Sequence, residues 1–200
     1  METLKSLSEV LQPDLRNSFF VLLETLKPIT IEEQHAEIST ALLGSQVPED
    51  VRSYFATIQN VCLYAWFAYD LYSVVDFLCY TAVEMALRKR LPYAGSGQDK
   101  RTLQNLLDQA VSKKLIREKA FSNVRVMRQN LARDICFRRA TSGRFPRSAM
   151  PKTNYAGVLQ GTIPRLRNHF AHPRSHTIMS PGAAMSQLRL TSELINSLFT

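Results

Sequence analysis

The chain has 200 residues, of which 45% are hydrophobic, and only seven glycines. This size and apolar content allow one buried core and exclude a disordered tail, and the scarcity of glycine favours helices over a turn-rich β fold. The formal net charge of +8 is uneven, because residues 1–84 carry 4 Lys and Arg against 12 Asp and Glu, whereas residues 85–174 carry 20 against 4. We expect the basic region to bind a polyanion, first of all nucleic acid; the alternative is that it balances the acidic half across an interface.

Cysteine usage and hydropathy predict a reduced, cytoplasmic protein. The most apolar stretch, residues 61–87, is interrupted by three acidic residues, so it lacks the uncharged run of about 20 residues that a membrane span needs. The N-terminus has no basic segment followed by an apolar core, so we expect no signal peptide. Three widely spaced cysteines predict buried thiols rather than a disulfide framework or a zinc knuckle; they are Cys62, Cys79 and Cys136.

The first 47 residues predict an acidic N-terminal helical pair in front of a larger domain over residues 48–200. An amphipathic pattern over residues 14–27 is bounded by prolines and predicts a short helix. Thr30 and Glu33 have the spacing of a capping box, which predicts the start of a second helix. Gly44 stands where a glycine would end that helix. Nothing in this pair indicates chemistry.

A long run without proline or glycine covers residues 51–91. It predicts either one very long helix or two helices with a bend near Tyr69 and Asp70. Its many aromatic side chains at helical spacing are typical of a core, and in part of a subunit interface, more than of a base-stacking platform. Near its end, Glu84 and Arg88 are four residues apart and are expected to pair on one face.

The second half of the chain predicts further helices around a basic loop. Residues 102–114 are amphipathic, and residues 123–140 predict an arginine-rich helix or part-helix. Residues 141–153 contain prolines, a glycine and three basic side chains, which indicate a loop. Ser180 is the predicted cap of a last amphipathic helix, over residues 183–199.

Between the basic loop and the last helix, residues 154–172 predict one more helical element. Gly161 and Pro164 lie inside it, so the element either kinks there or starts afresh with Thr162 as its cap. Pro173 disfavours helical backbone at the residue before it, so the helix should stop there. The coarse prediction for the whole chain is an all-α helical bundle.

The strongest candidate for chemistry is the end of that element, residues 164–173. These ten residues contain two arginines, one asparagine, two histidines and no acidic residue. Arg167 and His172 are about 140° apart around a helix axis, so they converge on one ligand only at a frayed helix end or across a symmetric interface. Asn168 and His172 share a face, so Asn168 is placed to orient the imidazole.

An arginine close to a histidine suits cleavage of a phosphodiester. A histidine transfers protons near neutral pH, and a guanidinium stabilises the charge that develops on the phosphorane. RNA supplies its own nucleophile, the 2′-hydroxyl, so no metal or other cofactor is required. A helix C-terminus favours protonation of His172 and neighbouring arginines oppose it, and the sequence leaves that balance open.

Three other interpretations of the same residues are open at this point, and they differ in how well the residues support them. A zinc site is disfavoured because Pro173 breaks the helix and no carboxylate or cysteine lies nearby; its ligands would be His169, His172 and His176. The bland interpretation is a basic helix end whose histidines cap carbonyl groups and whose arginine pairs with Glu84. A catalytic triad with a serine or cysteine nucleophile has no local signature.

The segment over residues 166–173 reads Leu-Arg-Asn-His-Phe-Ala-His-Pro. It resembles the Arg-x4-6-His signature of the HEPN superfamily (higher eukaryotes and prokaryotes nucleotide-binding domains), in which many members show Arg-Asn followed by Ala-His. The order of elements is also similar: a long apolar helix ending near residues 82–88, a helix from Thr102, the motif helix and a terminal helix. The resemblance covers about residues 50–200.

This resemblance implies a helical bundle of HEPN type, to which the N-terminal pair is an addition. It implies a homodimer that brings two Arg/His pairs into one cleft, and a metal-independent endoribonuclease of a bacterial toxin–antitoxin, stress or phage-defence system. By the same resemblance, Arg167 binds and polarises the scissile phosphate, His172 is the acid/base and Asn168 supports both. The alternative is a member that has lost catalysis and acts as an RNA-binding or dimerisation module.

The resemblance also implies supporting residues. An acidic residue on another helix positions the motif arginine in some members, and Glu84, with Arg88 beside it, is the candidate here. Members controlled by a nucleotidyltransferase antitoxin carry a tyrosine where this chain has Arg174, so that type of control is not expected, although an antitoxin or other regulatory protein is a predicted partner. The clustering of basic residues, and not the resemblance, gives the candidate RNA contacts: Arg138, Arg139, Arg144, Arg147, Lys152, Arg165 and Arg174.

Overall fold

The secondary structure is helical. A computed structural model of the chain describes residues 4–20, 27–122, 155–171 and 179–200. Within these ranges there are six α-helices and no β-strand, which confirms the predicted all-α class. The helices are α1 (Ile31–Ser39), α2 (Glu49–Tyr64), α3 (Leu71–Arg90), α4 (Leu103–Ser112), α5 (Tyr155–Ala171) and α6 (Pro181–Phe199), with short 3-10 helices at Leu15–Phe19 and Glu118–Ala120.

Local capping decides where α1 and α6 begin. The Thr30 hydroxyl accepts a hydrogen bond from the Glu33 backbone N–H at 3.2 Å, and the Glu33 carboxylate accepts one from the Thr30 N–H at 2.8 Å. The predicted capping box is therefore present. Ser180 accepts a hydrogen bond from the Ala183 N–H at the start of α6, as predicted. Caps of this kind stabilise a helix start by about 1 kcal/mol because they satisfy otherwise unpaired donors.

Of the two alternatives for residues 51–91, the structure has two helices with a bend between α2 and α3, and the N-terminal segment braces this bend. The Asp14 carboxylate accepts a hydrogen bond from the Tyr69 backbone N–H at 3.2 Å. Arg16 pairs with Asp14 at 2.8 Å and with Asp70 at 3.2 Å. The hydrogen bond from Arg16 lowers the pKa of Asp14 to about 2. The bend is therefore held by residues more than fifty positions earlier in the chain.

Helix α3 is the central element, packed against α2, α4, α5 and α6. Its apolar side chains form one core with those of its neighbours. Cys62 and Cys79 are buried and free, as predicted, and burial raises the pKa of Cys62 to about 12; Cys136 lies outside the described residues. Among the helices that the structure describes, none is long and apolar enough to cross a membrane.

One carboxyl group is buried in this core. The Asp76 residue is 3% exposed, and its Oδ1 accepts no hydrogen bond. Burial raises the pKa of Asp76 to about 7, because the charged form loses its hydration. Among the described residues, the ionisable groups whose pKa values its charge raises are the thiols of Cys62 and Cys79 and the hydroxyl of Tyr80, which provide no compensating positive charge.

Two expectations about the N-terminal pair are corrected. The pattern that begins at residue 14 forms a 3-10 helix over Leu15–Phe19, because the Asp14 carboxylate closes a tight turn on the Arg16 N–H while it braces the bend; residues 21–26 lie outside the description. Gly44 does not end α1, which stops at Ser39. Its N–H donates instead to the Asn196 side chain at 2.8 Å, a tertiary contact that no local signal announces.

Helix α5 continues through Pro164, so of the two alternatives the fresh start at Thr162 is wrong and one continuous element is present. Ala156, Leu159 and Ile163 share one face of this helix and are buried in the core. That packing outweighs the single backbone hydrogen bond that a proline removes. The basic elements predicted over residues 123–140 and 141–153 lie outside the described residues.

Candidate functional site

Arg167 lies on α5 with its guanidinium directed at α3. Its Nη2 is 3.8 Å from Oε2 of Glu84, and 37% of its side chain is exposed. Its Nη1 donates a hydrogen bond of 3.3 Å to the Asn168 side-chain oxygen. The structure therefore brings together the motif arginine, its neighbouring asparagine and the acidic residue that the sequence singled out. Arg167 keeps donors and surface available for a ligand.

Glu84 is shared between two arginines. Arg88, one turn later on α3, donates to Oε1 of Glu84 through Nη2 at 2.8 Å and through Nε at 3.3 Å. This confirms the predicted pairing of Glu84 with Arg88. The hydrogen bond to Glu84 raises the pKa of Arg88 above its ordinary value. Since Arg88 uses Oε1 only, Oε2 of Glu84 stays directed at Arg167.

Asp99 and Arg101 extend this cluster, and sequence reasoning missed both. Arg88 Nη1 is 2.8 Å from Oδ2 of Asp99, and Arg101 binds the same carboxylate through Nη2 at 2.8 Å. The hydrogen bond from Arg101 holds the pKa of Asp99 below its usual range. The available signal was weak: Asp99 is one of four acidic residues in the basic region over residues 85–174, and it follows a glycine-serine loop.

A groove of about 410 Å³ opens between α4 and α5 beside Arg167. The N-terminus of α4 faces it, and a capping box between Thr102 and Asn105 already binds the backbone N–H groups of these two residues. The positive end of the helix dipole still favours negative charge there. Arg165, one of the predicted RNA contacts, lines the same groove. Its lining residues are Glu84, Thr102, Leu103, Gln104, Pro164, Arg165, Arg167 and Asn168. The groove thus carries two guanidiniums and one carboxylate on its walls.

A carboxylate bridge holds the two walls of the groove together. Oδ1 of Asp108 on α4 accepts hydrogen bonds from Gln104 Nε2 at 2.7 Å and from Gln160 Nε2 at 2.6 Å. Gln160 belongs to α5, so the bond links the two helices. Both hydrogen bonds lower the pKa of Asp108. The spacing between the α4 N-terminus and Arg167 is therefore constrained.

The remaining candidate residues lie outside the part of the chain that the structure describes. His172, the predicted acid/base, lies just beyond the described end of α5. The other predicted RNA contacts also lie outside the described residues: Arg138, Arg139, Arg144, Arg147, Lys152 and Arg174. Across the described ranges there is no group of three or more His, Cys, Asp or Glu side chains that could hold a metal ion.

Comparison with known proteins gave no match. No family model, no curated protein and no solved structure is similar to this chain.

Proposed function

We propose that this protein is a metal-independent endoribonuclease of HEPN type. The observation that carries the proposal is the placement of Arg167 on the wall of a groove, 3.8 Å from Glu84 and 37% exposed. An arginine oriented by a carboxylate and open to solvent is suited to a phosphate, which a guanidinium binds through two parallel hydrogen bonds. The net charge of +16 over residues 85–174 supports a nucleic acid as the ligand.

The proposed reaction is an intramolecular transesterification. The 2′-oxygen of RNA forms a bond to phosphorus, the bond to the 5′-oxygen breaks, and the products are a 2′,3′-cyclic phosphate and a 5′-hydroxyl. His172 takes the proton of the 2′-hydroxyl and returns a proton to the 5′-oxygen. Arg167 stabilises the charge on the equatorial phosphorane oxygens, and Asn168 orients the two side chains. No metal ion takes part.

A homodimer follows from the spacing of the motif. Arg167 and His172 point about 140° apart on an ideal helix, so one subunit alone places them poorly on a single phosphate. Two copies related by a twofold axis would supply the arginine of one and the histidine of the other. We place the enzyme in a cytoplasmic toxin–antitoxin, stress or phage-defence system, with an antitoxin or other regulatory protein as partner.

Replacing His172 by alanine tests the reaction. With purified protein, single-stranded RNA and EDTA, the wild type should release fragments with 2′,3′-cyclic phosphate ends, and His172→Ala should lower the rate by at least about a hundredfold. The matched control is His35→Ala, an exposed histidine on α1, which should leave the rate unchanged. Undiminished cleavage by His172→Ala, or cleavage that EDTA abolishes, would sink the assignment.

The second candidate function is a non-catalytic RNA-binding module, which the basic region over residues 85–174 favours. In that case RNA binding should weaken steeply with salt. Each substitution that removes a phosphate contact should reduce the slope of log K against log salt by about one. The substitutions to measure are Arg138→Gln, Arg139→Gln, Arg144→Gln and Arg147→Gln.

The control for this measurement is Arg189→Gln, because Arg189 is paired with Glu37 outside the basic region. It should leave the slope unchanged. RNA binding without cleavage supports the non-catalytic module, whereas cleavage of the RNA contradicts the module and supports the enzyme. A slope that the four arginine substitutions do not alter would contradict their assignment as RNA contacts under either function.

A further inference from the structure

Five side chains form an unbroken chain of alternating charge beside the groove, which we call the ion-pair chain: Arg101, Asp99, Arg88, Glu84 and Arg167. It begins in the segment between α3 and α4 and ends at the motif arginine on α5. We propose that Asp99 is a positioning residue for Arg167 and acts through Arg88 and Glu84. The catalytic consequence of this inference rests on the proposed function; the positioning itself does not.

Glu84 contacts the two arginines through different carboxylate oxygens. Its Oε1 accepts both hydrogen bonds from Arg88, and its Oε2 lies 3.8 Å from Arg167. A guanidinium normally prefers to bind both oxygens of one carboxylate as a parallel fork. Arg88 does not do so here, and this leaves Oε2 for Arg167.

The Arg88 guanidinium also binds two groups in the segment between α3 and α4. Its Nη1 pairs with Oδ2 of Asp99 at 2.8 Å, and its Nη2 also donates to the Arg101 backbone carbonyl at 2.8 Å. Nη2 also binds Oε1 of Glu84, so these two contacts fix the guanidinium in the orientation that places both Nε and Nη2 on Oε1. Asp99 therefore keeps Arg88 on a single oxygen of the Glu84 carboxylate.

Asp99 is itself held in place by Arg101. Arg101 binds its two oxygens through Nε at 2.9 Å and Nη2 at 2.8 Å, and the Asp99 carboxylate also accepts the Arg101 backbone N–H at 3.0 Å. Arg101 is 15% exposed, donates to the Leu91 carbonyl at 2.6 Å and lies over the Tyr93 ring. This anchor ties Asp99 to the end of α3.

Removal of the Asp99 charge should release Arg88 to bind both oxygens of Glu84. Oε2 would then be withdrawn from Arg167, whose guanidinium would lose its orientation without losing its charge or its place on α5. A misoriented catalytic group reduces the rate of the chemical step more than it reduces binding. The expected signature is thus a lower kcat at a nearly constant KM.

The test uses Asp99→Asn in the full chain with two readouts. One is the ¹⁵N–¹H resonance of the Arg167 Nε–H group, assigned through its absence in Arg167→Lys; the other is the kinetics of RNA cleavage. Asp99→Asn should move the resonance and lower kcat about tenfold, with KM changed less than about twofold. In an Arg88→Met background, Asp99→Asn should have no further effect on either readout.

The matched control is Asp50→Asn, which removes a carboxylate that pairs with Lys89, the residue after Arg88, at 2.6 Å. It should leave both readouts unchanged. Should Asp99→Asn fail to fold, Arg88→Lys tests the same link, since an ammonium cannot serve both carboxylates in the geometry of a guanidinium. Arg88→Lys should then move the Arg167 Nε–H resonance and lower kcat by the amounts expected for Asp99→Asn.

Three results would overturn the inference: an unmoved resonance in Asp99→Asn, an effect that persists at full size in the Arg88→Met background, or an equal effect of Asp50→Asn. Absence of RNA cleavage by the wild type would overturn the proposed function instead. The resonance alone would then decide whether Asp99 positions Arg167.

Discussion

Replacement of Arg167 by alanine should lower the rate of RNA cleavage by about a hundredfold to a thousandfold, the effect of removing one preorganised donor from a developing oxyanion. Arg167→Lys should recover little of this loss, because a lysine keeps the charge but cannot bind a phosphate through two parallel bonds. The structure gives Arg167 few other duties, since its described contacts are Glu84 and Asn168. Single-turnover cleavage, with circular dichroism to confirm folding, measures the effect.

Arg165→Ala is the control for this experiment. Arg165 lines the same groove two residues earlier and carries the same charge, so its loss reduces the local attraction for RNA equally. It should raise KM a few-fold and leave kcat within about twofold of the wild type. Equal losses of kcat in Arg165→Ala and Arg167→Ala would show that the groove acts through its charge alone.

The second large effect concerns stability. Asp76→Asn should raise the free energy of unfolding at pH 7 relative to the wild type and remove the part of its pH dependence between about 4 and 7 that comes from Asp76. The folded pKa of Asp76 is raised to about 7, so the unfolded chain loses this proton first, and wild-type stability falls as the pH rises through this window. Ionisation of Asp76 lowers the free energy of unfolding of the wild type by up to about 4 kcal/mol, at 1.36 kcal/mol for each unit by which folding raises the pKa.

Urea denaturation of both proteins at pH 4, 5, 6 and 7 checks this result. Asp14→Asn is a control of opposite sign, since Arg16 lowers the pKa of Asp14 to about 2. The stability from Asp14 is present above the unfolded pKa and disappears as the pH falls towards 2. Asp14→Asn should therefore destabilise the protein at neutral pH. Parallel pH profiles for wild type and Asp76→Asn would contradict the account of Asp76.

Much of the fold follows from short-range patterns. The capping box at Thr30, the cap at Ser180 and the pairing of Glu84 with Arg88 each involve residues no more than four positions apart. The sequence displays such patterns directly. The break between α2 and α3 was one of two alternatives, and it depends on Asp14 and Arg16, which no local pattern links to residue 70.

The candidate site could be predicted only in part. The motif pointed to Arg167 and Asn168. Both the bland interpretation and the resemblance pointed to Glu84, which lies 83 positions away from Arg167 in the sequence but 3.8 Å away in space. Asp99 and Arg101 were missed because their roles arise from tertiary packing of a loop that looked featureless. The sequence left open whether the helix runs through Pro164, because the burial of one face, which favours continuation, is a tertiary effect.

The N-terminal brace has a consequence for the order in which the chain assembles. Asp14 accepts a hydrogen bond from the Tyr69 backbone, 55 residues later in the chain. Closing so large a loop costs conformational entropy before this contact can form and stabilise the fold. We therefore expect α2 and α3 to pair first as a hinged hairpin whose angle is still adjustable. The segment that contains Asp14 then docks last and sets the angle between α2 and α3. That angle determines the direction in which α3 presents Glu84 to Arg167.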